Sequence, residues 1–364
     1  MKNNTNSYAI EGSALFGNMD GISSYTYNLI KHLSVIEKED RFFIWYTQAP
    51  LFRRGLIDFR QHNIIHKKSF FPFPAMEGLK IFHDTGLLMP GPEKKRSRIT
   101  TIHDLSSILL PFSGEKEKRA IRLRLAEAIK TSDIIIAPSQ NTKRDLLKHF
   151  GAPENKIDVV YEGVGEEFYP QTSLKSSLVR TRYSIKRPYM LFLGKINETK
   201  NVRGLLEAYS LLKYESPPDL VIAGSSDAQS FNIKKLAEEL EIPNNVKHLG
   251  YIPKTDIPAL MSGAEIFVWP SFYEGFGLPV LEAMACGAPV ISSNNSCIPE
   301  IVGDAGILVD PGNIQKISAA MKKVLADKEM QLSMKKKSLE RSKYFSAKKM
   351  AAETLNIYRR ISAN

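Results

Sequence analysis

Short apolar runs rich in β-branched residues alternate along the chain with segments whose apolar residues recur at helical spacing. This alternation is typical of α/β proteins, in which helices cover the faces of parallel sheets. In the first half it predicts strands at residues 8–10, 42–46, 64–66, 80–83, 99–103, 134–137 and 157–161. It predicts helices there at residues 23–33, 115–130 and 141–150. The first half is therefore predicted to form one doubly wound sheet.

The second half repeats the alternation, with predicted strands at residues 189–193, 220–223, 246–249, 266–269, 289–292 and 306–309. Between the halves lies a polar stretch rich in Ser and Thr, without a clear period. We predict a first domain at 1–168, a linker at 169–186, a second domain at 187–345 and a terminal helix at 346–364 that crosses back to the first domain. Because ligands of open parallel sheets bind at the carboxyl ends of the strands, we expect the site between the two halves.

Composition sets broad limits on the class of protein. The 364 residues are 43% hydrophobic and 24% charged, which is enough for two domains with cores of their own. Residues 1–8 are too polar for a signal peptide, and no apolar run reaches the roughly 20 residues of a membrane span. Cys286 and Cys297 give neither a metal-ligand spacing nor a disulfide framework. These observations predict a cytoplasmic protein.

The net charge of +11 is concentrated in two stretches. Residues 51–130 hold 16 Lys and Arg against 8 Asp and Glu, and residues 316–360 hold 13 against 4. The first stretch mixes its cations with aromatic residues, which suits peripheral contact with anionic lipid on the inner face of a membrane. A solvated basic surface without a partner is the alternative. Nucleic acid is not expected, because no recognised binding motif accompanies the charge.

The segment from Pro270 to Ala283, PSFYEGFGLPVLEA, is predicted to join a strand to a helix. Its glycines let a ligand approach the backbone closely, and Pro279 suits the first helical turn. Free amides at the start of the helix can hold a phosphate. Glu274, before the helix, and Glu282, within it, can accept hydrogen bonds from sugar hydroxyls. An ordinary helix cap with surface glutamates is the alternative.

This segment resembles the motif of two glutamates separated by seven residues in the retaining glycosyltransferases of family 4. The resemblance implies that Glu274 contacts the transferred hexose and Glu282 the ribose of the nucleotide. Backbone groups of the loop would reach the hexose and the phosphate at Phe276, Gly277 and Leu278. It also implies the GT-B architecture, in which two Rossmann-like, doubly wound domains face each other across a cleft.

Two lysines extend the resemblance. Leu193-Gly194-Lys195 and the following Lys200-Asn201 are similar to the family's glycine and paired cations for the donor diphosphate. Many members have arginine where this chain has Lys195. The lysine keeps the positive charge but lacks the guanidinium that can form two parallel hydrogen bonds. A Walker-type loop is excluded, since Tyr189 stands where that motif requires glycine. A solvated lysine near a helix start remains the alternative for Lys200.

Two segments of the first half also match the family. Residues 101–105, TIHDL, end a predicted strand and resemble the family's His-Asp segment, whose histidine, here His103, lies beside the transferred sugar. A purely structural histidine is the alternative. The segment 17–25, which contains Gly21, resembles the loop that opens the first helix and faces the diphosphate and the acceptor. Ser23 departs from the family's glycine-rich pattern, so the acceptor contacts stay open.

The resemblance implies transfer of a hexose from a nucleoside diphosphate sugar to an acceptor hydroxyl, with the anomeric configuration retained. The departing phosphate would take the acceptor's proton while Lys195, Lys200 and helix amides stabilise its charge. No Asp-x-Asp motif is present, so we expect neither a metal nor a cofactor beyond the sugar nucleotide as co-substrate.

The details look most like bacterial mannosyltransferases of surface polysaccharide synthesis. They imply GDP-mannose as donor and a saccharide or polyprenyl-linked oligosaccharide, as in O-antigen synthesis, as acceptor. Alternatives are a UDP-hexose donor, a GT-B sugar-nucleotide epimerase, which needs no acceptor, and a non-catalytic sugar- or membrane-binding relative. The pair of glutamates argues against the epimerase, and Lys200, Glu282 and His103 together argue against the non-catalytic relative.

Overall fold

A computed structural model of the chain describes residues 6–16, 21–46, 57, 59, 61–68, 79–87, 96–212, 217–225 and 232–363. The chain forms two compact units, Met1–Gly163 with Ser346–Asn364, and Val164–Phe345. Part of the predicted glycine-containing loop, residues 17–20, lies outside the described residues. So do residues 51–56, 58, 60, 69–78 and 88–95 of the predicted basic stretch.

The first unit is built on a parallel sheet, which has seven strands among the described residues. These are β1 (Ser7–Glu11), β2 (Arg41–Tyr46), β3 (Ile64–Lys68), β4 (Leu79–Asp84), β5 (Ser97–Thr101), β6 (Ile134–Ala137) and β7 (Ile157–Val159). Their order across the sheet is β3-β2-β1-β4-β5-β6-β7. The order reverses between β1 and β4, and such a switch point is where open parallel sheets bind ligands.

Helices cover this sheet, and β1 is therefore buried along its whole length. They are α1 (Gly21–Ile36), α2 (Ser106–Leu109), α3 (Glu115–Thr131) and α4 (Gln140–Phe150). The last of these has clear stop and start signals. Ser139 Oγ accepts a hydrogen bond from Thr142 N at 3.1 Å at its start, and Gly151, with φ of 57°, ends it.

The second unit repeats this plan with a parallel sheet of six described strands. Its helices are α5 (Ser173–Arg182), α6 (Val202–Ser210), α7 (Ile233–Glu239), α8 (Ile257–Ser262), α9 (Leu278–Ala285), α10 (Ile298–Val302), α11 (Ile314–Ala326) and α12 (Lys328–Ser342). Its strands are β8 (Tyr189–Leu193), β9 (Asp219–Ala223), β10 (Val246–Gly250), β11 (Ile266–Trp269), β12 (Val290–Ser293) and β13 (Ile307–Val309). The order β10-β9-β8-β11-β12-β13 puts the switch point between β8 and β11.

The last helix, α13 (Ala347–Ser362), belongs to the first unit and packs along α1. Ser346 begins it, because its side chain accepts a hydrogen bond from Lys349 N at 3.2 Å. Tyr358 on this helix is fully buried, and its ring lies 5.1 Å from that of Tyr8 on β1. The end of the chain thus completes the core of its first unit.

The two predicted parallel sheets are confirmed, and most strand bounds lie within two residues of the expected ones. The prediction at 99–103 extended too far, since β5 ends at Thr101. Ile102 N still donates to Ile136 O at 3.0 Å, and only the next residue, His103, leaves the sheet. The strand observed at this second position, β7, also ends before the predicted 157–161 does. Val160 N still donates a hydrogen bond to Ala137 O beyond the end of β7.

The predicted linker at 169–186 is corrected, because it contains α5 and belongs to the second unit. Thr172 caps this helix by accepting a hydrogen bond from Lys175 N at 3.3 Å. Ser176 and Val179 are its buried residues, and Ser176 Oγ donates to Ala259 O on α8 at 3.1 Å. A helix that buries so few apolar side chains shows almost no hydrophobic period in its sequence.

Candidate active site

The predicted site residues of the second unit follow β8 and β11, the two strands on either side of its switch point. The loop 270–277 leads from β11 into α9, and the turn 194–201 follows β8. Phe272 N donates to Thr199 O at 2.8 Å, which ties the loop to the turn. Both segments therefore meet at one edge of the sheet, as the ligand loops of open parallel sheets do.

Lys200 and Glu274 form an ion pair at this edge. Lys200 Nζ lies 2.7 Å from Oε1 and 2.9 Å from Oε2 of Glu274, and Trp269 Nε1 donates to Oε1 at 2.8 Å. The lysine nitrogen is also 5.6 Å from the centre of a Trp269 ring, within cation–π range. Glu274 is only 8% exposed, so these bonds compensate a largely desolvated charge.

The geometry around the ion pair explains why Gly194 is a glycine and how Asn201 and Lys200 are held in the turn. A Cβ at Gly194 would lie 2.4 Å from Trp269 Cη2, so only glycine lets the indole reach Glu274. Asn201 takes the left-handed conformation, with φ of 54°, and its Nδ2 donates to Pro311 O at 2.7 Å. Lys200 is the residue before this bend, and its backbone N donates to Asn197 Oδ1 at 3.1 Å. The lysine is thus held at a fixed point of the turn.

The start of α9 places the other predicted loop residues. Gly277 has φ of 90°, and a Cβ there would lie 2.8 Å from Ile298 Cδ1, so a side chain would be strained and crowded. Leu278 is the first helical residue, followed by Pro279, which has no N–H to leave unpaired. Phe276 is buried, and its ring packs edge-on against Phe345 with centroids 5.9 Å apart. Backbone geometry and packing therefore fix the loop where it enters α9.

Glu282 lies in the second turn of α9 and is partly buried. Desolvation by burial raises the pKa of its carboxyl to about 8; Lys254 opposes this rise and Glu167 adds to it. Among the described residues its carboxyl has no hydrogen-bond or ion-pair partner. A carboxyl that is neutral at pH 7 can both donate and accept, which suits a hydroxyl-bearing ligand. The remaining predicted cation, Lys195, is exposed on the turn after β8.

His103 in the first unit lies two residues beyond β5. Its Nδ1 is 2.8 Å from Glu162 Oε1, and its Nε2 is 2.8 Å from the backbone oxygen of Thr85. The Tyr25 ring meets its ring edge-on, with centroids 4.9 Å apart. Burial lowers the pKa of His103, but the hydrogen bond and charge of Glu162, together with the Thr85 carbonyl and the Asp104 charge, outweigh it, and the net pKa is raised.

A chain of buried hydrogen bonds runs behind His103. Tyr25 OH is 3.0 Å from Thr101 Oγ1, which is 2.7 Å from Nε2 of His83. Nδ1 of His83 is 2.7 Å from Tyr358 OH on α13. Burial, together with the charge of His103, lowers the pKa of His83 to about 3, so this second histidine is neutral. The terminal helix is therefore connected to the side chains that support His103.

Gly21, the remaining predicted residue, is the first residue of α1, one turn before Tyr25. A Cβ there would meet no atom within 4 Å, so packing does not require glycine at this position. The sequence interpretation missed Glu162, Thr85, Tyr25 and Trp269. Glu162 was detectable, because it is the first residue after the predicted strand at 157–161, and site residues collect at the carboxyl ends of such strands.

Comparison with protein families and solved structures accounts for nearly the whole chain. The family model described as Glycosyl transferases group 1 matches residues 180–341, and that described as Glycosyltransferase Family 4 matches residues 25–168. The O-antigen chain mannosyltransferase B of Escherichia coli is 32% identical over 77% of this chain and 74% of its own length. The serotype-specific mannosyltransferase WbdA of Escherichia coli is 30% identical over 68% of this chain, which spans only 31% of that longer relative.

Two solved structures share the fold over almost their full lengths. Sucrose-phosphate synthase from Thermosynechococcus elongatus superimposes with a TM-score of 0.80 at 20% identity, covering 98% of this chain and 99% of its own. HepE from Anabaena, solved in complex with UDP and glucose, gives a TM-score of 0.76 at 17% identity, with 97% and 99% covered. Together with the two sheets, these matches define a glycosyltransferase of the GT-B fold. The chain belongs to the glycosyltransferase family that the group 1 and Family 4 models describe.

Two further kinds of feature are absent from the described residues. In the parts of the chain that the structure describes, no helix combines the length and apolar character needed to cross a membrane. Across the same residues, no three His, Cys, Asp or Glu side chains are grouped so that they could hold a metal ion.

Proposed function

We propose that this glycosyltransferase moves mannose from GDP-mannose to a saccharide or polyprenyl-linked oligosaccharide in the synthesis of an O-antigen-like surface polysaccharide. The observation that carries the proposal is the Lys200–Glu274 pair on adjacent loops at the β8/β11 switch point. A cation for a phosphate and a carboxylate for sugar hydroxyls stand side by side there. The choice of mannose rests on similarity to the O-antigen chain mannosyltransferase of Escherichia coli.

In this proposal the second unit binds the donor. Lys195 and Lys200, with the backbone at Gly277 and Leu278, hold the diphosphate. Glu274 and the backbone of Phe276 contact the hexose, while Glu282 takes the ribose hydroxyls. In the structure Lys200 is bonded to Glu274. Donor binding would therefore separate the ion pair, with Lys200 bonded to the phosphate and Glu274 to the sugar hydroxyls. Each charged group would then exchange one hydrogen-bond partner for another.

The reaction that we propose retains the anomeric configuration. The bond from the anomeric carbon to the phosphate oxygen breaks, and a bond from that carbon to the acceptor oxygen forms on the same face. The acceptor's proton passes to the departing phosphate, so the products are the glycoside and a nucleoside diphosphate. Lys200 and Lys195 stabilise the negative charge as it develops, and we propose that no metal or additional cofactor takes part. His103 lies beside the transferred sugar, and the α1 segment at Gly21 faces the diphosphate and acceptor.

We also propose that the protein works in the cytoplasm and contacts the inner face of the membrane through α3. Five exposed residues on this helix follow one another at intervals of three or four, as one helical face requires: Lys116, Arg119, Leu123, Ala126 and Lys130. Leu123 is 64% exposed, and the nearby Phe112 is 44% exposed. Apolar groups among cations fit an anionic lipid surface, where a polyprenyl-linked acceptor would reside.

The donor could instead be a UDP-hexose. The D-inositol 3-phosphate glycosyltransferase of Corynebacterium glutamicum is 27% identical over 73% of this chain and 67% of its own length. Relatives at similar identity therefore have names that indicate other substrates. Binding and nucleotide release should be compared across GDP- and UDP-sugars. The proposal expects GDP-mannose to give the tightest binding and fastest release of nucleotide. Preference for any UDP-sugar would exclude GDP-mannose as the donor.

A further inference from the structure

The hydrogen bonds of His103 restrict where its ring protons can be. Nε2 lies 2.8 Å from the carbonyl oxygen of Thr85, and a carbonyl oxygen only accepts, so Nε2 carries a proton. Nδ1 lies 2.8 Å from Glu162 Oε1. Two arrangements satisfy this second contact: an imidazolium facing a carboxylate, or a neutral ring accepting from a protonated carboxyl.

The charges around the ring decide between them. Burial opposes a charge on His103, and the neighbouring His83, kept neutral, adds no second cation. Glu162 and Asp104 both favour the cation, as does the carbonyl of Thr85. Tyr25 is the remaining titratable group against the ring, and burial keeps it un-ionised by raising its pKa. The surroundings therefore favour the imidazolium facing an ionised Glu162.

This arrangement leaves the ring no N–H to offer a ligand. Both nitrogens are bonded to protein atoms, and the Tyr25 ring packs edge-on against the imidazole. What His103 can supply is a positive charge that is held in place by two hydrogen bonds and, because its pKa is raised, persists to higher pH than the charge of an ordinary histidine. A fixed charge of this kind stabilises a developing anion without reorganising during the reaction.

We propose that Glu162 is a positioning residue of the transfer reaction, which keeps His103 as an imidazolium of fixed orientation that favours the anionic leaving group. This inference rests on the proposed function, in which His103 lies beside the transferred sugar. Glu162 acts through His103 and need not touch the substrate.

The test begins with the charge state of the free protein, which requires no activity. With ¹⁵N-labelled histidine, His103 should show two N–H groups at about pH 7.5, and in Glu162→Gln, where the carboxylate no longer opposes the effect of burial, it should show one. His83 should remain neutral in both proteins and reports that the fold is intact. A single N–H on His103 in the parent would overturn the proposal, because the proton would then be on Glu162.

The second measurement is the pH profile of kcat/KM. The ratio of Glu162→Gln to parent activity should rise as the pH falls and the variant's histidine gains its charge, and it should be about tenfold lower at about pH 8 than at the acid end of the profile. Asp104→Asn is the control, because it removes a neighbouring charge and leaves both hydrogen bonds of the His103 ring in place. Its activity relative to the parent should change far less with pH. A ratio independent of pH would show that Glu162 is only structural. If no sugar nucleotide is a donor while the two N–H groups are present, the proposed function fails and the reaction role of Glu162 fails with it, although the charge assignment stands.

Discussion

Lys200 is the residue on which the proposed donor site depends most. We expect Lys200→Ala to lower the rate of transfer by about 100-fold or more, the scale of losing one preorganised stabiliser of developing charge. Because the substitution also leaves Glu274 buried without its cation, it should lower the melting temperature. Combining Lys200→Ala with Glu274→Gln should restore stability but not activity. Transfer within about threefold of the parent would remove Lys200 from the site.

The two glutamates should differ in which part of the donor they hold. Glu282→Ala should weaken the binding of GDP-mannose and of free GDP alike, by about 1 to 3 kcal/mol, the cost of leaving the ribose hydroxyls without their partner. Glu274→Ala should sharply reduce transfer without weakening GDP binding, since it frees Lys200 for the phosphate. Calorimetry with free GDP, beside transfer assays, separates these effects. Unchanged GDP binding in both variants would contradict the assignment of Glu282 to ribose.

Glu282 should also make stability depend on pH. Its carboxyl has an ordinary pKa of 4.5 and a pKa of about 8 in the folded protein. Between these values the folded protein holds a proton that the unfolded chain has lost. The contribution of Glu282 to the free energy of unfolding is therefore complete below about pH 4.5 and is lost as pH rises through about 8. The melting temperature of Glu282→Gln relative to the parent should therefore rise with pH and level off above about pH 8. A difference in melting temperature that does not change with pH would show that the Glu282 carboxyl is solvated and has an ordinary pKa.

At the level of elements, α3 is the surface where the membrane proposal can be tested. The protein should bind vesicles that contain anionic lipid, more weakly as salt screens exposed charges beyond about 8 Å. Arg119→Glu with Lys130→Glu, both on the exposed face of α3, should abolish this binding. Lys323→Glu with Lys336→Glu on α11 and α12 makes the same charge change elsewhere and should have little effect. Equal binding of the parent to neutral vesicles, or equal loss in both variants, would contradict the electrostatic account.

The elements that sequence predicted well are those with an apolar period. Strands β6, β8 and β11 lie at the predicted residues because runs such as Ile134–Ala137 are buried and continuous. Helix α5 was missed because it buries little, although Thr172 was a readable cap. Sequence also located Lys200 and Glu274 on separate loops, but not their ion pair. That contact depends on a strand order, β8 beside β11, which no local pattern contains.

At the level of the whole molecule, the chain uses one architecture twice. Each unit has a parallel sheet whose strand order reverses once, and Lys200 and Glu274 follow the two strands at that reversal in the second unit. Thr85 follows β4 in the first unit, and its hydroxyl donates to Glu11 O at the end of β1 at 3.0 Å. The match of separate family models to residues 25–168 and 180–341 agrees with this division.

Retaining transfer of mannose is tested most directly by the stereochemistry of the product. The purified chain would be incubated with GDP-α-mannose and a polyprenyl-diphosphate-linked oligosaccharide, and the anomeric carbon–proton coupling of the new residue measured by NMR. We predict an α-linked mannose and one GDP released for each linkage formed, with Lys200→Ala as the inactive control. A β-linked product would contradict retention, and release of GDP with free mannose but no glycoside from any acceptor would contradict the transferase function.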